Sequence, residues 1–213
     1  DVLDLSQLES GEMKLHVQLI EIATLVKEIV RTVESETAKN NNILHVQCDQ
    51  PMTMVQIDRA KVQQMLVNLL SNAAKFTTHG TITLRVSFEL PQHNRSALMQ
   101  SAELKTQNWV IFEVIDTGIG IAPNQLPQLF QPFAHNDTND TSDARRYGGI
   151  GLGLAICQRY CQLMGGDLTV SSQLGQGSTF TIYLPTDPSI AAFTNMNDTP
   201  SSATSEIGVD GAQ

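Results

Sequence analysis

The chain has 213 residues, enough for one or two domains, and 41% of them are hydrophobic, which supplies a real core. It carries 13 Lys+Arg against 22 Asp+Glu, a net charge of -9, which argues against a surface built for nucleic acid. A polyphosphate held locally by backbone N–H groups, a Lys and a metal ion stays compatible with that balance. Three cysteines, Cys48, Cys157 and Cys161, form no disulfide framework and point to a reducing compartment, so a cytoplasmic location is expected. Cys157 and Cys161 lie four apart on an expected helix with no His at a zinc spacing, so they read as small core residues. No run of about 18 apolar residues and no basic-then-apolar leader is present. The chain begins without Met and in mid-pattern, which reads as a piece of something longer.

Residues 1–12 place Val2, Leu3, Leu5 and Leu8 as the tail of an amphipathic helix ending near Gly11. Met13, Leu15, Val17 and Leu19 alternate as a short strand. Ile22, Leu25, Val26, Ile29, Val30 and Val33 predict a helix over 21–38 that frays into Asn40-Asn41-Asn42. Strands follow at 43–48 and 53–57. Asp58 is the expected N-cap of a helix burying Val62, Met65, Leu66, Leu69, Leu70 and Ala73. Alternation from Ile82 to Leu90 predicts a strand, and 91–107 reads as a polar connection. Trp109–Ile115 is apolar at nearly every position, as in a strand buried on both faces. Residues 116–150 hold two glycine clusters and the polar stretch 134–147, a loop length that is usually functional or disordered. A helix over 151–164, capped by Gly165-Gly166, and strands 168–172 and 179–184 joined at Gly175-Gln176-Gly177 complete the pattern. Residues 186–213 contain four acids, no Lys or Arg, and eight Ser/Thr, so they read as a disordered tail or linker. The expectation is a two-layer α/β domain over 13–185, a sheet packed with three amphipathic helices.

Chemistry concentrates in three places. Gln64, Asn68, Asn72 and Lys75 recur at spacings of four, four and three, so they line one stripe of a helix. A solvated face is the plain reading, yet mid-helix Asn is poor for propensity, while its amide oxygen suits a hard cation and Lys75 adds a charge. Asp116-Thr117-Gly118-Ile119-Gly120-Ile121 follows a buried strand directly. Its carboxylate can accept from an exocyclic amine and its glycines admit a flat ligand, or the segment is simply a tight turn. Gly148-Gly149-Ile150-Gly151-Leu152-Gly153-Leu154-Ala155 opens a helix, where exposed N–H groups and the dipole suit phosphate, or where a hinge is needed. No Gly-Lys-Ser/Thr follows, and Leu154 stands where a dinucleotide fingerprint has its third glycine. Between the clusters, Phe130 and Phe133 are lid anchors or core residues. Arg145 and Arg146 are a solvated pair, or a means of reaching a terminal phosphate.

Order and spacing together resemble the sensor histidine kinases. Asn68-Leu-Leu-Ser-Asn72-Ala-Ala-Lys75-Phe76-Thr77 is similar to their asparagine box, 116–121 to the first glycine box, and 130–133 to the phenylalanine box. Residues 149–155 resemble the second glycine box, 175–180 the third, and Asp4-Leu-Ser-Gln-Leu-Glu9-Ser-Gly11 the end of the dimerisation helix. The resemblance implies an ATP-binding α/β sandwich, a mixed sheet under three main helices, in which Asp116 binds the adenine amine and Thr179 assists it through water. It implies that Asn68 and Asn72 hold Mg²⁺ and phosphate oxygens beside Lys75, with Arg145 and Arg146 at the terminal phosphate. Gly149, Gly151, Leu152, Gly153 and Leu154 would wrap the phosphates, while Gly118, Gly120, Ile121, Phe130 and Phe133 complete the nucleotide pocket. Ile150 departs from a frequent Thr, removing one hydroxyl.

The family's phosphoacceptor is a His followed by an acidic residue, and none of the five histidines (His16, His45, His79, His93, His135) is so followed. The expectation is therefore a chain that binds ATP without phosphorylating itself. It would act on a His of a dimerisation domain absent here, in a homodimeric parent that serves a response-regulator receiver domain. Whether the parent is membrane-anchored stays open. The competing class is a gyrase-type ATP-hydrolysing switch, which carries Glu four residues before the first box Asn; here that position is Gln64, which cannot accept a proton from water. A degenerate binding domain is a third reading, against which the intact boxes argue.

Overall fold

The computed structural model describes residues 6–8, 10, 13–49, 53–89, 108–132 and 151–187. The elements run β1 (Val17–Glu21), α1 (Ile22–Lys39), β2 (Ile43–Cys48), β3 (Met54–Asp58), α2 (Arg59–Phe76), β4 (Thr81–Glu89), β5 (Trp109–Asp116), a 3₁₀ turn (Leu126–Gln128), α3 (Gly153–Leu163), β6 (Asp167–Gln173) and β7 (Gly177–Pro185). Five strands form one sheet in the order β2-β4-β5-β7-β6. β2 and β4 are parallel and every other pairing in that sheet is antiparallel, so the sheet is mixed, as expected.

Strand alternation sends Ile82, Leu84 and Val86 of β4, Val110, Phe112 and Val114 of β5, and Phe180, Ile182 and Leu184 of β7 to one buried face. The helices cover it. Ile22, Leu25 and Ile29 of α1, Met65, Leu66 and Leu69 of α2, and Ile156 and Tyr160 of α3 are all within 2% of complete burial. Each large apolar side chain buried this way contributes roughly 1.5–3 kcal/mol relative to exposure. β5 is central, and Trp109 and Ile111 are buried on its other face too. That outer face opens at Glu113, whose carboxylate accepts from Arg85 at 3.2 Å. No helix among the described residues is long and apolar enough to cross a membrane.

Three local expectations need correction. The first strand starts at Val17 rather than Met13, and Val17 and Leu19 are exposed while Met13 and Leu15 pack on the core. The cause is pairing: β1 joins only β3, in a two-stranded sheet whose ladder begins at Val17↔Asp58. There Asp58 caps α2, accepting from Lys61 N at 3.1 Å and from His16 N at 2.8 Å. The end of α1 does not fray. Asn40 Nδ2 donates to Ala74 O (2.9 Å), Asn42 Nδ2 donates to Ala74 O (3.2 Å) and Thr77 O (2.8 Å), and Asn42 Oδ1 accepts from Gly80 N (3.1 Å). These bonds satisfy carbonyls that α2 leaves open at its C-terminus. Finally, α3 starts at Gly153 and not at Gly151, whose φ of 69° is incompatible with a helix. Its other end closes as expected: Gly166 N donates to Cys161 O (2.8 Å) and Gly165 N to Gln162 O (3.0 Å), with Gly165 at φ 74°.

Candidate functional site

The candidate residues gather where β5 ends, α2 ends and α3 begins. Asp116 is the last residue of β5 and continues the helix-facing row of Phe112 and Val114, so its carboxylate is buried at 8% exposure. Oδ1 accepts from Gly118 N at 2.8 Å. Burial pushes the Asp116 carboxyl above the ordinary range, and backbone N–H groups of Gly118 and Ser178 partly oppose that. No ion pair among the described residues involves it.

The neighbouring backbone is held close. A Cβ at Gly118 would lie 2.8 Å from Thr77 Oγ1 and 2.9 Å from Asp116 Oδ1, so only glycine lets the segment pass there. Thr77 is fully buried, and its hydroxyl is the one buried side-chain polar atom without a hydrogen-bond partner among the described residues. Ile119 N donates to Phe76 O (3.2 Å), Gly175 N to Ile119 O (2.7 Å) and Ile121 N to Ser172 Oγ (2.8 Å). The turn after β5 is thereby tied to the end of α2 and to the β6–β7 hairpin.

Thr179 does not lie with Asp116. It pairs with Ile115, on the sheet face away from the helices. Ser178 pairs with Asp116, shares its face, is buried, and sits 3.0 Å from Ser172 Oγ. The place beside the carboxylate expected for Thr179 is therefore Ser178's, because side chains alternate along a strand.

On α2, Gln64, Asn68, Asn72 and Lys75 are all half-buried. Asn68 Nδ2 donates to Cys157 Sγ of α3 at 3.4 Å, and a Cβ at Gly153 would overlap the Asn68 amide. Asparagine stripe and second glycine cluster are thus in direct contact. Tyr160 Oη donates to Gln64 Oε1 (3.3 Å) and accepts from Lys61 Nζ (3.3 Å), which lies 4.7 Å from the ring centroid. Burial lowers the Lys75 ammonium, whose Nζ is 4.8 Å from the Phe76 ring centroid. Burial pushes the Cys157 thiol up to about 12, with the Asn68 hydrogen bond opposing, so it stays S–H. Leu152 is buried under the first turn of α3, and Leu154, Ile121 and Phe130 are partly buried against the core. Gly120 takes φ 67°. Phe133, Arg145, Arg146 and Gly149 lie outside the described residues.

Thr77, Ser178 and Tyr160 were not singled out from the sequence, and Cys157 was read only as a small core residue. For Ser178 a signal existed, since strand parity counted from Asp116 and the hairpin turn selects it over Thr179. The Tyr160 and Cys157 contacts depend on how two helices pack, which spacing within one helix does not reveal.

A mixed sheet under three helices, with a buried carboxylate and glycine-bounded helix ends at one edge, defines a nucleotide-binding α/β sandwich. Residues 57–188 match the family described as histidine kinase-, DNA gyrase B-, and HSP90-like ATPase. The chain belongs to that family, as an ATP-binding catalytic domain of the histidine kinase branch. It is 40% identical over 195 residues to histidine kinase 5 of Arabidopsis thaliana, a match covering 87% of this chain and 21% of that protein. The chain therefore spans about a fifth of that relative's length. A crystal structure of full-length ShkA in complex with AMPPNP superposes with a TM-score of 0.68 at 27% identity, over 86% of this chain and 34% of that one. The catalytic domain of histidine kinase ThkA shares the fold, with a TM-score of 0.62 at 21% identity, over 83% of this chain and 99% of that one.

The residues present fit the nucleotide. A largely desolvated carboxylate at the end of a central strand suits the amine edge of a flat base. Among the described residues no three His, Cys, Asp or Glu side chains could hold a metal ion together. A cation at the asparagine stripe would rest on neutral amide oxygens, with phosphate and water completing its shell, which suits Mg²⁺.

Proposed function

We propose that this domain serves a two-component sensor histidine kinase, presenting the ATP γ-phosphoryl to a His on the parent's dimerisation helix. The phosphoryl would then pass to an Asp of a response-regulator receiver domain. The observation that carries this reading is the buried Asp116 carboxylate, bounded by Gly118 and Thr77 and joined through α2 to the Asn68–Gly153 contact. Asp116 accepts a hydrogen bond from the adenine amine, a charge-assisted bond worth roughly 1.5–3 kcal/mol. Backbone N–H groups where α3 begins, at Gly153 and Leu154, face the phosphates with the helix dipole behind them. Asn68 and Asn72 would hold Mg²⁺ through their amide oxygens, and the ion would supply neutralisation of charge on the transferred group. Lys75, partly desolvated, gains a favourable partner when phosphate arrives.

Gln64 separates this reading from the ATP-hydrolysing switches. A neutral amide held by Tyr160 does not take a proton from water, so transfer to an acceptor is favoured over hydrolysis. In the parent, residues 1–12 would end the dimerisation helix, 13–185 form the catalytic domain, and 186–213 act as tail or linker. Burial of Leu8 at 3% supports docking of that helix end on the domain. The parent would be a cytoplasmic-facing homodimer with no role in nucleic-acid binding.

The test is a chain extended upstream through the dimerisation helices, given γ-labelled ATP. The reading predicts acid-labile, base-stable label on a His of the added helices, abolished by Asn68→Ala. Label on the 213-residue chain itself, or rapid phosphate release with Gln64 intact, would overturn it.

A further inference from the structure

Two helices meet around the Asn68 amide. Gly153 and Cys157 are four apart on α3 and share a face. Gly153 lies against the plane of the amide, where any Cβ would overlap it. Cys157 Sγ accepts from Nδ2 at 3.4 Å and in turn donates to Met65 O at 3.9 Å. Cys157 is 2% exposed, so water does not compete for either bond. One turn further along, Tyr160 donates to Gln64 and Cys161 meets Met65 Sδ at 3.5 Å, which fixes the register of α3 on α2.

An Asn side chain has one donor end and one acceptor end, and a half-turn about its last bond exchanges them. A buried sulfur that accepts from Nδ2 leaves Oδ1 as the end turned toward the start of α3. Only that orientation offers an oxygen to a cation; the flipped amide would offer N–H groups to it. We infer that Cys157 is a positioning residue, which orients the Asn68 amide so that its oxygen faces Mg²⁺ and phosphate. The inference rests on the ATP-site reading of Asn68 given above. It also gives Cys157 a use beyond filling the core. Valine would fill the same space and accept nothing, leaving the amide free to rotate, while serine would keep an acceptor.

The test uses the 213-residue chain with Cys157→Val and Cys157→Ser. The first readout needs no nucleotide: the Asn68 side-chain amide in ¹⁵N NMR, assigned by its loss in Asn68→Asp. In the parent chain and the Ser variant the amide proton held by residue 157 should be slowed in exchange with water; in the Val variant that protection should be lost. The second readout is ADP affinity by calorimetry with Mg²⁺ and with EDTA. Loss of an outer partner of a metal ligand typically costs 10–100-fold in metal affinity. The Val variant should therefore lose roughly tenfold of the Mg²⁺-dependent affinity, keep its affinity in EDTA, and melt as the parent does; Ser should rescue. An unprotected Asn68 amide in the parent, or a Val variant with unchanged Mg²⁺ dependence while Asn68→Ala loses it, would overturn the role of Cys157. If Asn68→Ala also leaves the Mg²⁺ dependence unchanged, the ATP-site reading of Asn68 fails instead. Should Val fail to fold, Cys157→Ala takes its place: loss of amide protection and of Mg²⁺-dependent affinity supports the inference, and an Ala variant that keeps both contradicts it.

Discussion

Burial raises the Asp116 carboxyl above its ordinary value of 3.8, and two backbone N–H groups offset this only in part. The folded chain then holds that proton at pH values where the unfolded chain has lost it. Stability contributed by this residue falls as pH rises from 3.8 through the raised folded value. Asp116→Asn keeps an acceptor for Gly118 N and removes the charge. Its melting temperature should exceed the parent's at neutral pH, with the gap closing as pH approaches 3.8; a variant less stable at neutral pH would contradict this. A second prediction concerns Gln64, whose Oε1 accepts from Tyr160. A carboxylate at that place keeps the acceptor and adds a base. Gln64→Glu should raise ATP hydrolysis at least about tenfold, read as phosphate release, since a placed general base is typically worth 10²–10⁴. No rise would mean the geometry differs from the hydrolysing branch.

Between elements, Asn42 makes the contact with the largest consequence. Its side chain joins the end of α2, the Thr77 carbonyl and the start of β4 through three hydrogen bonds. Ala74 O keeps its bond from Asn40, so Asn42→Ala takes the side-chain partner from Thr77 O and Gly80 N and should cost about 1–3 kcal/mol, read as a lower urea midpoint at unchanged slope. Because Thr77 and Phe76 form one wall of the site, weakened ATP binding should accompany it. The helices were legible in the sequence because their apolar positions repeat every three to four residues, and Met65, Leu66 and Leu69 are buried as that repeat predicts. The Asn40–Asn42 segment was not, since Asn after a helix reads as fraying unless its distant partner, here Ala74 O, is known. Gly118 and Gly120 look alike in sequence, yet Gly118 is required by a close approach to Phe76 O and Thr77, and Gly120 by a positive φ together with a close approach to the Gln173 backbone. Thr179 was misplaced by one residue because the motif resemblance was read without strand parity.

Across the whole molecule, the sheet sets the positions and the helices carry most of the chemistry. β5 is central and delivers Asp116 at its end; the end of α2, at Phe76 and Thr77, meets the turn that follows; α3 starts against Asn68. The candidate residues come from three separate elements, so the site depends on how the layers pack. This is also why the motif order in the sequence identified the family while leaving the Cys157 and Tyr160 contacts unread.

Calorimetric titration of the chain with Mg·ATP and Mg·GTP, repeated on Asp116→Asn, tests the central claim most directly. Guanine has a carbonyl where adenine has its amine, so the parent should bind ATP and reject GTP. The variant should lose about tenfold or more in ATP affinity, the equivalent of one charge-assisted hydrogen bond. Equal affinity for the two nucleotides, or an Asn variant that binds ATP as the parent does, would contradict the assignment of the buried carboxylate to the base.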